Sequence, residues 1–384
     1  MVRVEPVYLQ PNLKPCGRLG VIRHSLIYVI MANKANQNIL LLSLSGIGNF
    51  LMQSPVFAAL KAAYPQSRLT VWVAPRGTKI LAKNNPHIDK VMQMPIKKNT
   101  LGAHISNIQA LRRERFDTAI VLSPGNLVKS AAYLRLAGIP RRVGHLYPLG
   151  KNPHSSFLLT DTIREDETLH DIEQNLRLLE PLGIPTPKEK KEYSLTISEY
   201  TKKKASEILS AYPLPPTPYN LIGIHAGSAP DFLWKRWPLQ HFAAVAKQFV
   251  KKHGAHILLF GGPDEDTQKK ELQQLIGAQH ASLVSTNLLT TAAIMRHCQA
   301  VVSNDSGLMH LAAASGTLTF GLFGPTNEKH TGPRGSKSQV IRAAGTVPAY
   351  HTESNYNLGN QPHPSILAIT ADQVFSTMEL GIGY

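Results

Sequence analysis

Residues 301–335 read VVSNDSGLMHLAAASGTLTFGLFGPTNEKHTGPRG and decide the fold of this 384-residue chain. The apolar run at 300–303 predicts a short strand, which breaks at Asn304 into a helix of small and apolar residues. A second strand is predicted at 317–323, and it opens at 324–335 into a loop with three glycines and two prolines. Two strands that bring glycines and short polar side chains to one sheet edge commonly form a crevice for a phosphorylated ligand. The pattern predicts an α/β fold that binds a nucleotide or nucleotide sugar.

Helix capping explains only part of this stretch. Asp305 or Ser306 alone could accept hydrogen bonds from the exposed N–H groups of a first helical turn. Capping does not explain His310, which follows one turn later in a helix that is otherwise apolar. The segment therefore predicts a ligand site as well as a helix start.

The rest of the chain alternates strands and helices in two series. A continuous apolar run at 38–45, the turn Gly46-Ile47-Gly48 and a helical pattern at 49–64 lead to a strand at 69–74, which makes one βαβ unit. Further elements of the first series are strands at 90–94, 118–122 and 142–144 and an amphipathic helix at 171–183. Elements of the second series are strands at 221–225 and 256–260 and helices at 239–253, 267–275 and 290–298. Each series predicts one doubly wound parallel sheet.

The length fits two domains of about 150 to 200 residues each. We predict a leader at 1–36, an N-terminal Rossmann-like domain at 37–211, a linker with four prolines at 212–219 and a C-terminal Rossmann-like domain at 220–384. This layout also allows the last helix to pack back on the N-terminal domain. The leader is expected to be disordered, or to be untranslated if Met31 is the true start. The alternative is an amphipathic helix on a membrane surface.

Positive charge is concentrated in the first series. The formal net charge is +16, and between Lys61 and Lys151 sixteen basic residues stand against three acidic ones. Such a region can be a solvated basic surface or a face for an anionic membrane or a phosphorylated acceptor. Nucleic acid is not favoured as a partner, because no recognised nucleic-acid-binding module is visible.

Composition limits the class of protein. Hydrophobic residues make up 43% of the chain, and no apolar run reaches the length of about 20 residues that a membrane-spanning helix needs. The two cysteines, Cys16 and Cys298, form neither a disulfide framework nor a zinc-site spacing. These features predict a protein of the reducing cytoplasm.

Five segments together resemble glycosyltransferase family 9, the ADP-heptose:lipopolysaccharide heptosyltransferases. The NDSGLMHLAA stretch, with the LFGPT and GPRG that follow it, is similar to the family's N-D-S-G-x-x-H-L-A-A signature and its two loops. Residues 40–65 are similar to its opening strand, glycine turn and helix. The stretches IGIHAGS, WKRWP and LLFGGPDE are similar to its H-P-G-S, K-R-W-P and following strand-and-turn elements. The resemblance extends from Asn38 to the region of Ala343.

The resemblance implies a fold and an activity. The fold is GT-B, in which two Rossmann-like domains face a cleft. The activity is that of an inverting, metal-independent glycosyltransferase, which moves heptose or a related sugar from an ADP-linked donor to a lipopolysaccharide-core or other anionic glycan or glycolipid acceptor. The enzyme is expected in the cytoplasm with peripheral contact at the inner membrane, and no cofactor is implied.

The resemblance also assigns residues to the donor site. Lys235, of WKRWP, would bind the diphosphate, which suits its charge and length. Gly227 and Ser228 would offer N–H and hydroxyl donors, and Asp264 stands near the family's nucleoside-contacting acid. Five further residues would surround the diphosphate and sugar: Asp305, Ser306, Gly307, Leu308 and His310. They stand at a helix N-terminus, whose dipole favours a negative leaving group. Residues 264–266 also read as an Asp-x-Asp metal motif, but their place at a helix start favours a solvated first turn, so no metal site is expected.

One position departs from the family pattern. The acceptor-side glycine turn contains Gly46 and Gly48, and the family follows the second glycine with an aspartate, the presumed general base. This chain has Asn49, whose amide can orient a hydroxyl but cannot take its proton. Because of Asn49, the alternative that the protein binds nucleotide sugars without catalysing transfer stays open. A GT-B-like sugar-nucleotide epimerase, which would need catalytic carboxylates in the cleft, is the other alternative.

Overall fold

The computed structural model describes residues 37–73, 77–93, 100–124, 127–147, 156–187, 192–212, 220–349 and 358–384. The leader expected at 1–36 lies outside the described residues, as does the linker expected at 212–219 apart from Tyr212.

The first half of the chain forms one parallel sheet with helices on both faces. Its strands are β1 (Asn38–Ser43), β2 (Arg68–Val73), β3 (Lys90–Gln93), β4 (Thr118–Val121), β5 (Arg141–Leu146) and β6 (Asp161–Arg164). Its helices are α1 (Ile47–Ala63), α2 (Thr78–Lys83), α3 (Leu101–Glu114), α4 (Leu127–Leu136), α5 (Asp171–Arg177) and α6 (Glu199–Ser210). Among the described residues the strand order is β3-β2-β1-β4-β5-β6. The central strand β1 is apolar from Ile39 to Leu42 and buried from Ile39 to Ser43, as a parallel strand covered on both faces requires.

The second half repeats this plan. Its strands are β7 (Leu221–His225), β8 (His256–Leu259), β9 (Ala281–Leu283), β10 (Ala300–Asn304), β11 (Leu318–Leu322) and β12 (Ser338–Ile341). Its helices are α7 (Leu239–His253), α8 (Asp266–Ile276), α9 (Leu288–Met295), α10 (Gly307–Ala314), α11 (Glu328–Thr331), α12 (Pro364–Leu367) and α13 (Ala371–Ile382). The described strands have the order β12-β11-β10-β7-β8-β9.

Both sheets are doubly wound, which confirms the fold class expected from the sequence. In each sheet the chain builds outward from a central strand and then returns to build in the other direction. The switch lies between β1 and β4 in the first sheet and between β7 and β10 in the second. Ligands of open α/β sheets bind outside the carboxyl ends of the strands at such switch points. The two glycine-containing segments that the sequence singled out, at 46–49 and 304–307, follow β1 and β10 at these two positions.

The two halves are packed together beside these switch points. Gly307, the first residue of α10, lies against Ile47 and Gly48 of α1, where an added Cβ atom would come within 3.0 Å of the Ile47 Cβ. Helix α6 precedes the proline-rich stretch but packs on α9 of the second half. The closing helix α13 packs on α7, with the rings of Phe375 and Phe249 4.8 Å apart. Among the described residues, no helix is long and apolar enough to cross a membrane.

Several helix boundaries differ from the sequence prediction, and the helices expected at 267–275 and 290–298 are Asp266–Ile276 and Leu288–Met295. Helix α1 begins at Ile47, two residues earlier than expected, so Ile47 and Gly48 belong to its first turn rather than to the glycine turn before it. The single helix expected at 171–183 is divided into α5 and a 3₁₀ turn at Glu180–Leu182. Pro181 lacks the N–H that a continuous helix would need there, and Gly183 ends the turn with a φ of 76°.

Candidate functional site

The candidate site lies at the carboxyl ends of β7 and β10. Asn304, the last residue of β10, is fully buried and ties this edge together. Its amide nitrogen donates to Ala226 O at 2.7 Å, and its amide oxygen accepts from Trp237 N at 3.0 Å. The loop after β7, the WKRWP segment and the start of α10 are therefore held in one arrangement by one side chain.

Lys235 and Asp305 form an ion pair at this edge. The Lys235 Nζ lies 2.7 Å from Asp305 Oδ2, and the two side chains are 16% and 7% exposed. The ammonium also lies 5.1 Å from the centre of the Phe232 ring and 5.4 Å from that of Trp234. Two residues that the sequence assigned to one ligand are thus in contact, and their burial strengthens the attraction relative to a surface pair.

The helix that starts beside this pair is capped by Ser306. The Ser306 backbone is extended, and its Oγ accepts from Met309 N at 3.3 Å, which is the usual N-cap geometry. Gly307 follows, and its lack of a side chain allows α1 to approach. Leu308 is 9% exposed and packs into the core.

His225 extends this polar arrangement to Glu265, a connection that the sequence analysis missed. The Nε2 of His225 lies 3.2 Å from Glu265 Oε2, and its Nδ1 lies 3.0 Å from Ser306 Oγ. Glu265 also accepts from Gly262 N at 2.8 Å. Burial would raise the pKa of Glu265, but the hydrogen bond and charge of His225 and the Gly262 N–H hold that pKa below its usual value. An ionised Glu265 requires a proton on His225 Nε2.

Glu265, rather than Asp264, is the acid that packs against the loop after β7. The Asp264 side chain is exposed, whereas that of Glu265 is 11% exposed and lines a pocket with Gly227. A Cβ atom added to Gly227 would overlap the Glu265 carboxylate, so the fit depends on glycine at this position. Within the 3₁₀ turn Pro263–Glu265 the Asp264 side chain is exposed and the Glu265 side chain is largely buried, a difference that the sequence alone did not predict.

Ser228 is held by Arg236. The Ser228 Oγ donates to Phe232 O at 2.8 Å and accepts from Arg236 Nε at 3.1 Å, while Arg236 Nη2 donates to Ser228 O at 2.8 Å. These bonds fix the loop after β7 against the turn that carries Lys235. The Ser228 hydroxyl hydrogen is therefore directed at a carbonyl of its own loop.

His310 lies between the two halves. It is 3% exposed, and its Nδ1 lies 2.7 Å from the hydroxyl of Tyr193. Its ring edge packs against the glycine turn of α1, where a Cβ atom on Gly48 would come within 2.6 Å of His310 Cδ2. Burial lowers the pKa of His310 to about 4, so its imidazole is neutral at physiological pH. The sequence had placed His310 near the donor and Gly48 near the acceptor, and the structure brings the two into contact.

The glycine turn at the start of α1, which the sequence assigned to the acceptor side, has few polar contacts of its own. Gly46 occupies the N-cap of α1 without a side-chain cap, and Asn49, in the first turn, is half-buried. Among the hydrogen bonds of the described residues none involves the Asn49 side chain. Beneath this turn, the buried Gln53 of α1 bonds Ser43 Oγ at 2.5 Å and Ser123 O at 3.0 Å, which joins the ends of β1 and β4.

The GPRG loop of the second half docks on the first half through His170. His170 caps α5 by accepting from Ile172 N at 3.2 Å, and its Nε2 lies 2.9 Å from Gly332 O. Burial lowers the pKa of His170 to about 3, so the ring is neutral, with Nδ1 as acceptor and Nε2 as donor. The sequence identified this loop but not its partner.

Within the described ranges, no three or more His, Cys, Asp or Glu side chains are grouped to hold a metal ion. The site offers instead an ammonium group, a helix N-terminus and a buried carboxylate at neighbouring strand ends. This combination can bind a phosphorylated group at Lys235 and hydroxyl groups at Glu265.

Comparisons with known proteins agree with this picture. The family description glycosyltransferase family 9 (heptosyltransferase) matches residues 105–358. Lipopolysaccharide heptosyltransferase 2 of Escherichia coli K12 is 28% identical over 354 residues, which cover 88% of this chain and 97% of that protein. The structure of E. coli ADP-heptose lps heptosyltransferase II has a TM-score of 0.71 at 26% identity and covers 90% of this chain and 98% of its own.

A second solved structure supports the fold alone. The glycosyl transferase family 9 structure from Veillonella parvula has a TM-score of 0.75 at 24% identity, with 90% of this chain and 97% of that chain covered. The matched relatives favour a transferase over the non-catalytic binding protein and the epimerase that the sequence left open.

Proposed function

Because this chain belongs to glycosyltransferase family 9 and is a glycosyltransferase, we propose that it moves heptose or a related sugar from an ADP-linked donor to the lipopolysaccharide core or another anionic glycan. The observation that carries this proposal is the meeting of two strand edges. Lys235 and Asp305 form an ion pair at the start of α10, and Gly307 and His310 of that helix lie against the glycine turn of α1. Donor and acceptor sites would then share one narrow space.

The donor diphosphate is proposed to bind at Lys235 and the N-terminus of α10. Both supply positive charge, from an ammonium and from unpaired helical N–H groups. Asp305 already neutralises Lys235, so a diphosphate must share this ammonium or displace the carboxylate. Glu265 is proposed to accept hydrogen bonds from the nucleoside hydroxyls, a role that the sequence gave to Asp264.

The transfer is proposed to proceed with inversion and without a metal ion. The acceptor hydroxyl oxygen attacks the anomeric carbon from the side opposite the diphosphate, the carbon–oxygen bond to phosphate breaks, and ADP leaves with the electron pair. Lys235 and the α10 dipole stabilise the charge that develops on the leaving phosphate. Asn49 is proposed to orient the acceptor hydroxyl by hydrogen bonding, and the hydroxyl proton is released to solvent because an amide cannot accept it.

The acceptor and its membrane are proposed to meet the outward surface of the first half. Several basic residues counted in the sequence are used internally: Lys61 pairs with Asp89 at 2.7 Å and Arg141 with Asp161 at 3.0 Å. The others include exposed bases on two neighbouring helices. We define the α3–α4 face by its exposed side chains Leu101, Ile105, Arg113, Lys129 and Arg135.

The α3–α4 face combines features suited to an anionic bilayer. Leu101 and Ile105 are 77% and 46% exposed and stand one turn apart on α3. A helix that follows a parallel strand starts at the carboxyl edge of the sheet, so these two residues lie at the edge that also carries the glycine turn. Apolar residues beside basic ones favour peripheral binding at the inner membrane.

The donor is tested by a thermal-shift panel of ADP-heptose, UDP sugars and GDP sugars. A ligand at 100 times its Kd stabilises the native state by about 2.7 kcal/mol, so only the correct nucleotide should raise the Tm clearly. Transfer is then measured with ADP-heptose and a lipopolysaccharide-core acceptor. A Tm raised by UDP or GDP sugars and not by ADP-heptose would contradict the proposed donor.

Membrane contact is tested by vesicle sedimentation with and without phosphatidylglycerol. Binding should require the anionic lipid and fall as salt rises, because screening weakens exposed charges. The pair Leu101→Gln and Ile105→Gln should reduce binding, whereas Leu380→Gln, an 81% exposed leucine on α13, should not. Equal binding to neutral and anionic vesicles would contradict the proposal.

A further inference from the structure

We propose that Tyr193 is a positioning residue that holds His310 in the neutral tautomer with its proton on Nε2 and directs that N–H into the space beside the glycine turn of α1. Tyr193 belongs to the connection between α5 and α6, and neither the sequence motifs nor the ligand assignments above include it. The ligand-facing part of this inference depends on the proposed donor site at α10.

The Tyr193 hydroxyl has two hydrogen-bond partners, Arg334 N and His310 Nδ1, and together they fix the direction of both bonds. The backbone N–H of Arg334 donates to Tyr193 Oη at 3.1 Å, so this oxygen serves as an acceptor there. Its single hydrogen is then free to donate to His310 Nδ1, 2.7 Å away. Because Nδ1 accepts, a neutral imidazole must carry its proton on Nε2.

Burial keeps both groups in the required protonation states. It raises the pKa of Tyr193, so the phenol retains the hydrogen that it donates. It lowers the pKa of His310 to about 4, so the imidazole carries one proton rather than two. The two rings meet edge to face, with an interplanar angle of 77°.

The His310 Nε2 atom faces the α1 turn. It lies 3.3 Å from the position that a Cβ atom on Gly48 would occupy. Among the described residues the structure gives Nε2 no hydrogen-bond partner. Asp305 and Ser306 lie one turn earlier on the same side of the cleft. A fixed N–H donor at this point suits an oxygen of the donor sugar or its phosphate.

The Tyr193 hydroxyl connects three separate segments. The connection that carries it is attached to α1, because Ser194 N donates to Ser54 Oγ at 2.7 Å. Arg334 belongs to the GPRG loop, and His310 belongs to α10. The tautomer of His310 therefore depends on the packing of the two halves against each other.

Histidine-selective ¹⁵N NMR tests the tautomer directly. In the wild-type protein the resonances of His310, assigned by their loss in His310→Gln, should show a protonated Nε2 and an unprotonated Nδ1. Tyr193→Phe should lose this single pattern and give a mixture of tautomers. Tyr64→Phe, which removes a buried hydroxyl that donates to Leu182 O at 2.9 Å, is the matched control and should leave it unchanged. A wild-type His310 protonated on Nδ1, or a pattern unaffected by Tyr193→Phe, would overturn the proposal.

Kinetics separate positioning from stability. Tyr193→Phe should lower kcat/KM for transfer about tenfold, since a misdirected N–H removes one hydrogen bond to a charged or reacting group. The amide of His310→Gln has no tautomers. In that variant, Tyr193→Phe should lower kcat/KM by less than about twofold if the two residues act as one unit. Equal losses in both backgrounds would contradict positioning through His310. If His310→Gln transfers the sugar as fast as the wild type, His310 does not contact the ligand in the proposed donor site. The NMR spectrum still decides whether Tyr193 sets the tautomer.

Discussion

The helix starts that meet across the cleft, α1 in the first half and α10 in the second, are built differently. At α10 the Ser306 hydroxyl caps the helix and bonds His225, and Asp305 is paired with Lys235. At α1 the N-cap is Gly46, no side chain caps the helix, and the first turn contains no acidic residue. The proposed donor side is therefore held by side-chain bonds that exist before a ligand arrives, whereas the proposed acceptor side is shaped by the absence of side chains at its glycines.

This difference has a physical consequence for catalysis. A network of paired groups needs little rearrangement to stabilise charge on a leaving group. A turn made of glycines lets another backbone and a ligand approach closely, but it contributes no charge of its own. Substitutions at the start of α1 should therefore affect different steps from substitutions in the groups around the start of α10, and the effects are expected to decrease in the order Asn49, Lys235, Gly227 and Gly46.

Asn49→Asp should change the chemical step most. A correctly placed general base contributes typically about 10² to 10⁴-fold to the rate, and a carboxylate in the first turn of α1 is favoured by the helix dipole. We expect a faster single-turnover transfer from ADP-heptose, with unchanged donor affinity. Asn49→Ala is the control, because it removes the amide without adding a base. A wild type as fast as the aspartate variant would mean that another group already takes the proton.

Lys235→Ala should act on the donor instead. Loss of a hydrogen bond to a charged partner weakens binding by about 1 to 3 kcal/mol, and Asp305 would be left as an uncompensated negative charge beside the diphosphate. Titration calorimetry with ADP measures this loss. Lys247→Ala, at an exposed position of α7, should leave the affinity unchanged. An ADP affinity equal to that of the wild type would remove Lys235 from the site.

Gly227→Ala should have a smaller effect through Glu265. The new methyl group would force the Glu265 carboxylate away from His225 and Gly262 N, and losing these bonds should reduce ADP affinity by about 1 to 2 kcal/mol. Gly46→Ala is the matched control, because no heavy atom lies within 4 Å of its added Cβ. Equal affinities for both variants would show that Glu265 does not contact the nucleotide.

Gly46→Ser should give the smallest effect and make α1 more like α10. Serine exceeds glycine as an N-cap by only about a few tenths of a kcal/mol, and the extended backbone of Gly46 accepts it. Chemical denaturation should show a slight gain in the free energy of unfolding, with donor affinity unaltered. A clear loss of stability would mean that the turn requires glycine for a reason beyond close packing.

Much of the fold could be read from local patterns. The apolar runs of β1, β7 and β10 and the glycine turns after them predict two doubly wound sheets, because buried parallel strands and tight strand-to-helix turns impose distinctive residue types. Helix α7 begins and ends where the pattern predicted, since its apolar spacing and Gly254 mark its core face and its end. The split of the helix at 171–183 was missed, although Pro181 was the signal that could have indicated it.

The sequence by itself determined which edges of the two sheets carry the polar groups, since each group follows its strand within a few residues. Only the tertiary structure decided which of these groups touch. Lys235 meets Asp305 across 70 positions of chain, Glu265 rather than Asp264 turns to His225, and Tyr193 reaches His310 from the opposite half. These contacts depend on how the loops are folded and how the halves are packed, and side-chain direction at such points is set by backbone geometry and burial rather than by the order of residues.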